Sequence, residues 1–163
     1  MTQWDQHGAE AVPRPASSAD LAAIVACTRA AYAAFAERIG YDPPPMTTDY
    51  VSRIESDQVW VHKDGGSLVG VLVLVPAADH PLVYSVAVSP DRQGEGHGGT
   101  MMAFAEDRAR GEGLPEVWPY TNALMPENVV FYESRGYAVF DQRPHPTRAG
   151  STLVYMRKVL GGG

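Results

Sequence analysis

The sequence predicts an α/β (α+β) fold in one domain, from its length and from the way helical and strand patterns follow one another. Some segments repeat apolar residues every three or four positions, as helices do, and others form short apolar runs or alternate, as strands do. These segments are interleaved, which favours a mixed sheet flanked by helices. The 163 residues, 45% of them hydrophobic, suffice for one core, so we expect a single domain over residues 1–163.

The first part of the chain predicts a short strand and two helices. A loose lead-in over residues 1–16 ends in the strand, and Ser17 or Ser18 then begins a helix that ends at Gly40, before three prolines. A shorter helix fits residues 47–56. The positions expected on the buried face of the first helix are Leu21, Ile24, Val25, Thr28, Tyr32, Phe35 and Ile39.

The remainder predicts a hairpin, followed by alternating strands and helices. Val59 and Val61 alternate with polar residues, and a turn at residues 64–66 leads into an apolar run at 68–75, typical of a central strand covered on both faces. We expect the sheet to be antiparallel at first and mixed overall. Further strands are predicted at about 82–88, 116–120, 137–142 and 152–159, and further helices at about 97–112 and 126–135.

Charge and cysteine content argue against some classes of protein. The formal net charge of −6 is unsuited to nucleic acid, whose binding needs a basic face, and mildly favours a neutral or cationic substrate. No uninterrupted apolar run approaches the ~20 residues of a membrane span, and the N-terminus lacks a basic start and an apolar signal core. We therefore expect a cytoplasmic protein without a membrane partner. The single cysteine, Cys27, is interpreted as a small semi-buried helix residue.

The stretch VYSVAVSPDRQGEGHGGT contains four glycines in six residues, namely Gly94, Gly96, Gly98 and Gly99. A plain solvated loop is one interpretation, although a turn needs fewer glycines. A dinucleotide-binding G-x-G-x-x-G loop is another, but there the first glycine follows its strand almost at once, and here five residues separate it from Val88. The third interpretation is a pyrophosphate cradle at a helix N-terminus, where unpaired N–H groups and the helix dipole favour an anion.

A family resemblance favours the third interpretation. The pattern Gln93-x-x-Gly96-x-Gly98 resembles the acyl-CoA loop of the GNAT N-acetyltransferase superfamily. The segment ENVVFYESRGY is similar to the second signature of that family, and YTNALMPENVVFYESRGY looks like one of its bacterial subgroups. YMRKVL resembles the last strand. The resemblance covers about residues 12–160, which we take as the core of the domain.

The resemblance implies a mixed, mainly antiparallel sheet that splays apart between two central parallel strands, here 82–88 and 116–120. Acetyl-CoA would be the co-substrate, and no metal is expected. The pantetheine would lie against the backbone of Val86, Ala87 and Val88, bonded like an added strand. The pyrophosphate would lie on the N–H groups of the glycine loop, which we define as Gln93, Gly94, Glu95, Gly96, His97, Gly98 and Gly99. At Gly96 and Gly98 we expect a Cβ to meet phosphate or the packed helix.

Several positions differ from the family pattern. Glu95 stands where the family often has Lys or Arg, and His97 stands where an aliphatic residue is usual. Pro119 lies in the strand after the loop helix, where it cannot donate a ladder bond.

The second signature supplies the predicted catalytic residue. The resemblance implies that Tyr132 protonates the CoA sulfur, and the alternative is a core aromatic beside Phe131. Asn128 precedes Tyr132 by four residues, so the two share one helical face. The resemblance suggests that Asn128 contacts the CoA arm, and the alternative is a polar residue near a helix start. Asn122 is interpreted equally well as a cap of the following turn.

The general base stays open, because the places where many relatives carry an acid read Tyr84 and Ser85. Candidates elsewhere are Asp79, His80, Glu127 and His145, of which histidine titrates nearest neutrality. In such folds the first two helices and the last hairpin build the substrate pocket. The aromatic and apolar residues in these places, which are also candidates for the core, are Tyr32, Phe35, Tyr41, Met46, Tyr50, Trp60 and Trp118.

Two functions follow from the resemblance. The first is an acetyl-CoA-dependent N-acetyltransferase that acts on a primary amine of a small molecule or peptide by direct attack. The second is a GNAT-fold CoA-binding protein without acetyltransferase activity, or with other chemistry. Family members are often dimers, so a homodimer is compatible with the resemblance.

Overall fold

The computed structural model describes residues 12–161, and most of the predicted lead-in, residues 1–11, lies outside the described residues. Within this range the chain forms seven strands and five α-helices, with short 3-10 turns at Ser18–Asp20 and Pro90–Arg92. In chain order the elements are β1 (Arg14–Pro15), α1 (Leu21–Ile39), α2 (Pro44–Thr47), α3 (Tyr50–Glu55), β2 (Val59–Asp64), β3 (Ser67–Pro76), β4 (Pro81–Val88), α4 (His97–Gly111), β5 (Glu116–Asn122), α5 (Pro126–Glu133), β6 (Ala138–Pro144) and β7 (Thr152–Val159).

The strands form a seven-stranded sheet in the order β1-β2-β3-β4-β5-β7-β6. The pairs β1–β2, β2–β3, β5–β7 and β6–β7 are antiparallel. β4 and β5 are parallel, with Leu82 opposite Trp118 and Val83 opposite Pro119. Pro119 is thus accommodated in a strand despite its missing N–H group. The α/β class and the mixed, mainly antiparallel sheet expected from the sequence are confirmed.

The chain divides into two compact units. Unit 1 comprises residues 12–74 and Ser85–Phe104 of the described chain, and unit 2 comprises Val75–Tyr84 and residues 105–161. The glycine loop belongs to unit 1, and α5 belongs to unit 2.

Helix α1 of unit 1 begins and ends as its sequence predicts. The Ser17 N–H donates to the Asp20 carboxylate at 2.8 Å, and Gly40 takes a left-handed φ of 84° while its N–H donates to Ala36. Ile24 and Thr28, both on the predicted face, are buried. Asp20 also accepts two hydrogen bonds from Arg14, which lower the pKa of this carboxyl to about 2.

By length and composition alone, the helical segment Ser18–Ile39 is apolar enough to cross a bilayer, a property that helices of a folded core share. The sequence did not predict a segment of this kind, because four charged residues interrupt the apolar run of Ser18–Ile39. In unit 1 this helix packs Ile24, Cys27 and Thr28 into the core.

The helix predicted over residues 47–56 is present but shorter, as α3 at Tyr50–Glu55, and the preceding α2 at Pro44–Thr47 was not predicted. Thr48 is extended between them, with φ −66° and ψ 154°. Asp49 follows and caps α3, since its side chain accepts a hydrogen bond from the Ser52 N–H at 3.2 Å.

Strand β3 lies at the centre of unit 1 and brings α4 close to the sheet. Six consecutive residues, 69–74, are buried, as expected for a strand covered on both faces. At Gly70 an added Cβ would lie 2.7 Å from Met101 Cε and 3.3 Å from the Ala87 carbonyl oxygen, so glycine permits this close approach.

The core of unit 2 contains a buried polar network beside its apolar residues. Val117 and Met156 are fully buried. Glu106 of α4 accepts hydrogen bonds from the Tyr137 hydroxyl and from Lys158 Nζ, each at 2.9 Å. Burial, followed by the nearby Glu106 charge, raises the pKa of Tyr137 well above its usual range.

Candidate functional site

The glycine loop joins the 3-10 turn after β4 to the first turn of α4, as the sequence predicts. Gly94 and Gly96 have φ values of 85° and 91°, a region that favours glycine. An added Cβ at either position would meet nothing within 4 Å. A Cβ at Gly96 would therefore not meet the packed helix, and the positive φ is what favours glycine there; the expected contact with phosphate stays a prediction. Gly98, by contrast, is buried.

The start of α4 presents backbone donors at the loop. The N–H of Thr100 donates to the Gly96 carbonyl at 3.0 Å and opens the helical hydrogen-bond series. The N–H groups of Gly96, His97, Gly98 and Gly99 therefore precede the series and have no partner within the helix. Four residues of the loop, 93–96, are exposed. An anion at this position would meet both these donors and the positive end of the helix dipole.

The end of β4 leads directly into this loop. Ala87 is buried, whereas Val86 and Val88 are half-buried. The Gln93 side chain donates from Nε2 to the Val88 carbonyl at 3.2 Å. Gln93 thus occupies one of the backbone groups to which the resemblance assigns the pantetheine.

A network of charged and imidazole side chains surrounds Glu95. Arg92 Nε and His97 Nε2 each lie 2.9 Å from Glu95 Oε1, and Arg92 also bonds the Asp64 carboxylate in the β2–β3 turn. The hydrogen bonds from His97 and then Arg92 lower the pKa of Glu95. Glu95, Asp64 and His97 are close enough to share a cation, and the guanidinium of Arg92 is the cation that binds both carboxylates.

The network continues inward through His62 of β2. Its Nε2 lies 3.1 Å from His97 Nδ1, and the side chain is buried, with 3% of the residue exposed. Its Nδ1 has no hydrogen-bond partner among the described residues. Burial, followed by the proximity of His97, lowers the pKa of His62. Sequence reasoning missed His62, Asp64 and Arg92. His62 and Asp64 reach this network through contacts 35 and 28 residues apart in the chain, whereas Arg92 bonds Glu95 only three residues away.

The second signature lies in unit 2, on α5 and the segment after it. Tyr132 is 7% exposed, and its ring makes edge contacts with Phe131 and Tyr137 at centroid distances of 5.1 and 5.9 Å. Asn128 Nδ2 donates to Thr121 Oγ1 of β5 at 3.1 Å. The structure thus brings Asn128 and Tyr132 together on α5, as their spacing of four residues predicts.

Asn122, at the end of β5, caps the turn that follows it. Its Oδ1 accepts a hydrogen bond from the Leu124 N–H at 2.9 Å. The role as a turn cap that the sequence suggested is therefore observed.

Among the four candidate bases, His80 has the most defined surroundings. Its ring stacks on Trp118 at a centroid distance of 3.7 Å and an interplanar angle of 15°, and its Nδ1 lies 2.8 Å from Asp79 Oδ1. His145 Nδ1 accepts a hydrogen bond from the Thr147 N–H, and Glu127 is exposed. A carboxylate only accepts hydrogen bonds, so Nδ1 of His80 carries the proton and Nε2 is the basic nitrogen of the neutral ring.

Tyr84 and Ser85, the two positions of β4 where many relatives carry an acid, each contact a tyrosine. The Ser85 hydroxyl of β4 bonds the Tyr32 hydroxyl of α1 at 3.2 Å within unit 1. Tyr84 makes an edge contact with Tyr120 within unit 2, at a centroid distance of 6.2 Å.

The candidates for a substrate pocket separate into core and partly exposed residues. Tyr50 and Trp60 are buried in unit 1, and Trp60 packs on Phe104, so these two rings serve the core. Trp118 is half-buried in unit 2. The remaining candidates, all half-buried in unit 1, are Tyr32, Phe35, Tyr41 and Met46.

Strand β4, the glycine loop and the start of α4 form a strand–loop–helix unit with exposed backbone donors. The acetyltransferase (GNAT) domain model matches residues 55–139, about half of the chain. The protein therefore belongs to the GNAT acetyltransferase family, and the resemblance noted in its sequence is confirmed. A comparison with curated protein sequences finds no match.

Solved structures share the fold at low sequence identity. The ribosomal-protein-S18-alanine N-acetyltransferase from Escherichia coli has a TM-score of 0.73 at 17% identity, over 91% of this chain and 92% of that chain. Ard1 from Thermoplasma volcanium has a TM-score of 0.74 at 18% identity, over 92% and 97%. A GNAT family acetyltransferase from Elizabethkingia anophelis with acetyl-CoA bound has a TM-score of 0.61 at 17% identity, over 68% and 81%.

Proposed function

We propose that the protein is an N-acetyltransferase that transfers the acetyl group of acetyl-CoA to a primary amine of a small molecule or peptide. The observation that carries the proposal is the exposed glycine loop at the start of α4, with its unpaired backbone N–H groups. Two structural neighbours support the choice of donor, since both were solved with acetyl-CoA. Ribosomal-protein-alanine N-acetyltransferases among the neighbours support an amine acceptor.

In this proposal the pyrophosphate binds the N–H groups of residues 96–99, and the pantetheine follows the backbone of Val86, Ala87 and Val88. Because Gln93 holds the Val88 carbonyl at 3.2 Å, its side chain must move aside or bond the ligand instead. An anionic pyrophosphate can bind this protein despite its net charge of −6, because the donors at the site are backbone N–H groups rather than basic side chains.

Transfer proceeds by direct attack. The amine nitrogen bonds to the thioester carbonyl carbon, the C–S bond breaks, and the hydroxyl of Tyr132 donates its proton to the departing sulfur. Because Tyr132 is only 7% exposed, water has little access to its hydroxyl and does not compete with it as the proton donor. Asn128 lies on the same helix face as Tyr132, its side chain donates to Thr121 of β5, and in this proposal it contacts the CoA arm.

We propose His80 as the base that takes the proton of the attacking amine. Asp79 and Trp118 fix its ring, which leaves Nε2 to accept a proton. His80→Gln should lower the rate strongly at pH 7 and weakly at pH 9, where more of the amine is already neutral. The same loss at both pH values would exclude His80 as the base.

Release of free thiol from acetyl-CoA across a panel of amines tests the function directly. Acetyl-CoA at ~100 times its dissociation constant should add about 2.7 kcal/mol to the free energy of unfolding, which a thermal melt detects. NAD serves as the control ligand and should leave the melting temperature unchanged. A melt that responds to NAD and not to acetyl-CoA would exclude the proposed donor.

A second candidate function is CoA binding without acetyl transfer. It is favoured by the sequence of β4, PLVYSVAV, which carries no carboxylate where many relatives have one. A raised melting temperature with acetyl-CoA, combined with no thiol release on any amine, would favour this function over the first.

A further inference from the structure

The hydrogen bonds around His97 specify where its proton lies. Glu95 is ionised, since its pKa is lowered, and a carboxylate only accepts hydrogen bonds. His97 Nε2, 2.9 Å from Glu95 Oε1, must therefore carry a hydrogen. The other ring nitrogen of His97 faces His62 Nε2 at 3.1 Å, and one of these two nitrogens must donate to the other.

Burial of His62 decides which nitrogen donates. Its Nδ1 has no partner among the described residues, so a hydrogen on Nδ1 would be an unpaired buried donor. That penalty disfavours such a state on the order of tenfold or more. A neutral His62 therefore carries its hydrogen on Nε2 and donates it to His97 Nδ1. This nitrogen of His97 is the acceptor and carries no hydrogen.

We propose that His62 is a positioning residue of the glycine loop, which holds His97 neutral in the tautomer that donates to Glu95. An imidazolium at His97 would need a hydrogen on Nδ1 as well, and this would force His62 into the tautomer with the unpaired buried donor. The loop thus keeps the hydrogen bond from His97 Nε2 to Glu95 without a second hydrogen on the His97 ring.

The other charged groups recorded against His97 do not supply an alternative partner for Nδ1. Asp64 at the end of β2 lies 4.0 Å from His97 Nε2, on the same side of the ring as Glu95. Arg92 lies on that side too and bonds both carboxylates. Both carboxylates thus face the Nε2 side of the His97 ring, and His62 is the group that faces Nδ1.

The tautomers can be read in the free protein by ring ¹⁵N NMR across pH 6–8. Both His62 and His97 are expected to carry their hydrogen on Nε2 at pH 7. In His62→Leu, which removes the donor that faces His97 Nδ1, His97 should take up a second proton within this range. A hydrogen on Nδ1 of either histidine in the wild type at pH 7 would overturn the proposal.

The effect on the ligand rests on the proposed function and is measured with acetyl-CoA. Between pH 8 and pH 6, acetyl-CoA should bind His62→Leu about two- to fivefold more tightly relative to the wild type, as expected for one new charge near a helix N-terminus. The phosphates of acetyl-CoA titrate equally in every variant, so only the difference between variants counts. His145→Gln, in unit 2, is the matched control and should follow the wild type.

The two proposals fail separately. If acetyl-CoA binds no variant at any pH, the proposed function is wrong, while the NMR tautomers still decide the role of His62. If acetyl-CoA binds and His62→Leu follows the pH dependence of the wild type, the role of His62 at the loop is wrong and the proposed function stands.

Discussion

Tyr132→Phe tests the proposed chemistry with the smallest available change. Phenylalanine keeps the ring, and therefore the edge contacts with Phe131 and Tyr137, and it deletes only the hydroxyl. The residue is 7% exposed, so the replacement leaves no larger void than one oxygen atom. Any loss of rate can then be assigned to the missing proton donor rather than to altered packing.

The expected loss is about 10²-fold in kcat, the low end of the range for general acid catalysis. An ordinary thiol has a pKa near ~8.5 and an ordinary phenol one near ~10, so the thiolate already leaves well and the proton transfer is slightly uphill. The dissociation constant of acetyl-CoA should change little, because the hydroxyl matters only once sulfur gains charge.

Tyr137→Phe is the matched control, because it deletes the hydroxyl of the neighbouring ring. That hydroxyl bonds buried Glu106 at 2.9 Å, so its loss should cost about 1.5–3 kcal/mol of stability, or roughly 3–10 °C in melting temperature. Thiol release by this variant should stay near the wild-type rate below its melting temperature. Tyr132→Phe should therefore lower the rate and leave stability unchanged, whereas Tyr137→Phe should lower stability and leave the rate unchanged.

Thiol release from acetyl-CoA with a good amine, at saturating concentrations of both, is the assay. A thioester with a more acidic leaving thiol should rescue part of the loss in Tyr132→Phe. The reasoning fails if Tyr132→Phe works at the wild-type rate while a slower thioester shows that chemistry limits that rate. Tyr132 would then be a core aromatic, and water would protonate the sulfur.

Three further predictions concern the loop and the N-terminal cap. Gly98→Val should weaken acetyl-CoA binding about tenfold or more, which corresponds to the loss of one hydrogen bond to a charged group. If calorimetry gives the same affinity for this variant and the wild type, Gly98 is needed only for the helix and not for the ligand. Glu95→Lys should tighten acetyl-CoA binding about two- to fivefold at low salt and less at high salt, and Glu95→Gln separates the charge from the lost bond to Arg92. The pKa of Asp20 is about 2 in the folded protein against a usual 3.8, so its contribution to stability is complete above about pH 4 and lost as pH falls through 2. Urea melts from pH 5 to 2 should show a shallower decline for Asp20→Asn, and parallel declines would contradict the pairing with Arg14.

Local patterns predicted most of the fold. The buried run of β3, the inward face of α1 and the glycine loop before α4 could all be read from neighbouring residues, because strand, helix and turn geometry depend on near spacing. The helix predicted over residues 47–56 begins only at Tyr50, because Thr48 is extended and Asp49 caps the helix.

The network around Glu95 could not be read in the same way. Asp64 and Arg92 are 28 residues apart, and His62 and His97 are 35 apart, and only the folded chain brings them together. The sequence marks Glu95 and His97 as unusual for the family, but it does not say that the two bond one another. Their partners emerge from the pairing of β2 with β3 and from the position of α4.

The bond between Arg92 and Asp64 has a consequence for anyone who engineers this protein. The β2–β3 turn, with glycines at residues 65 and 66 in left-handed conformations and open space around them, looks like a convenient place to insert a tag or graft a peptide. Asp64, however, bonds Arg92 immediately before the glycine loop, so an insertion in the β2–β3 turn would disturb that loop from a distance. The turn at Gly150, also left-handed and open but in unit 2, is the better site for such an insertion.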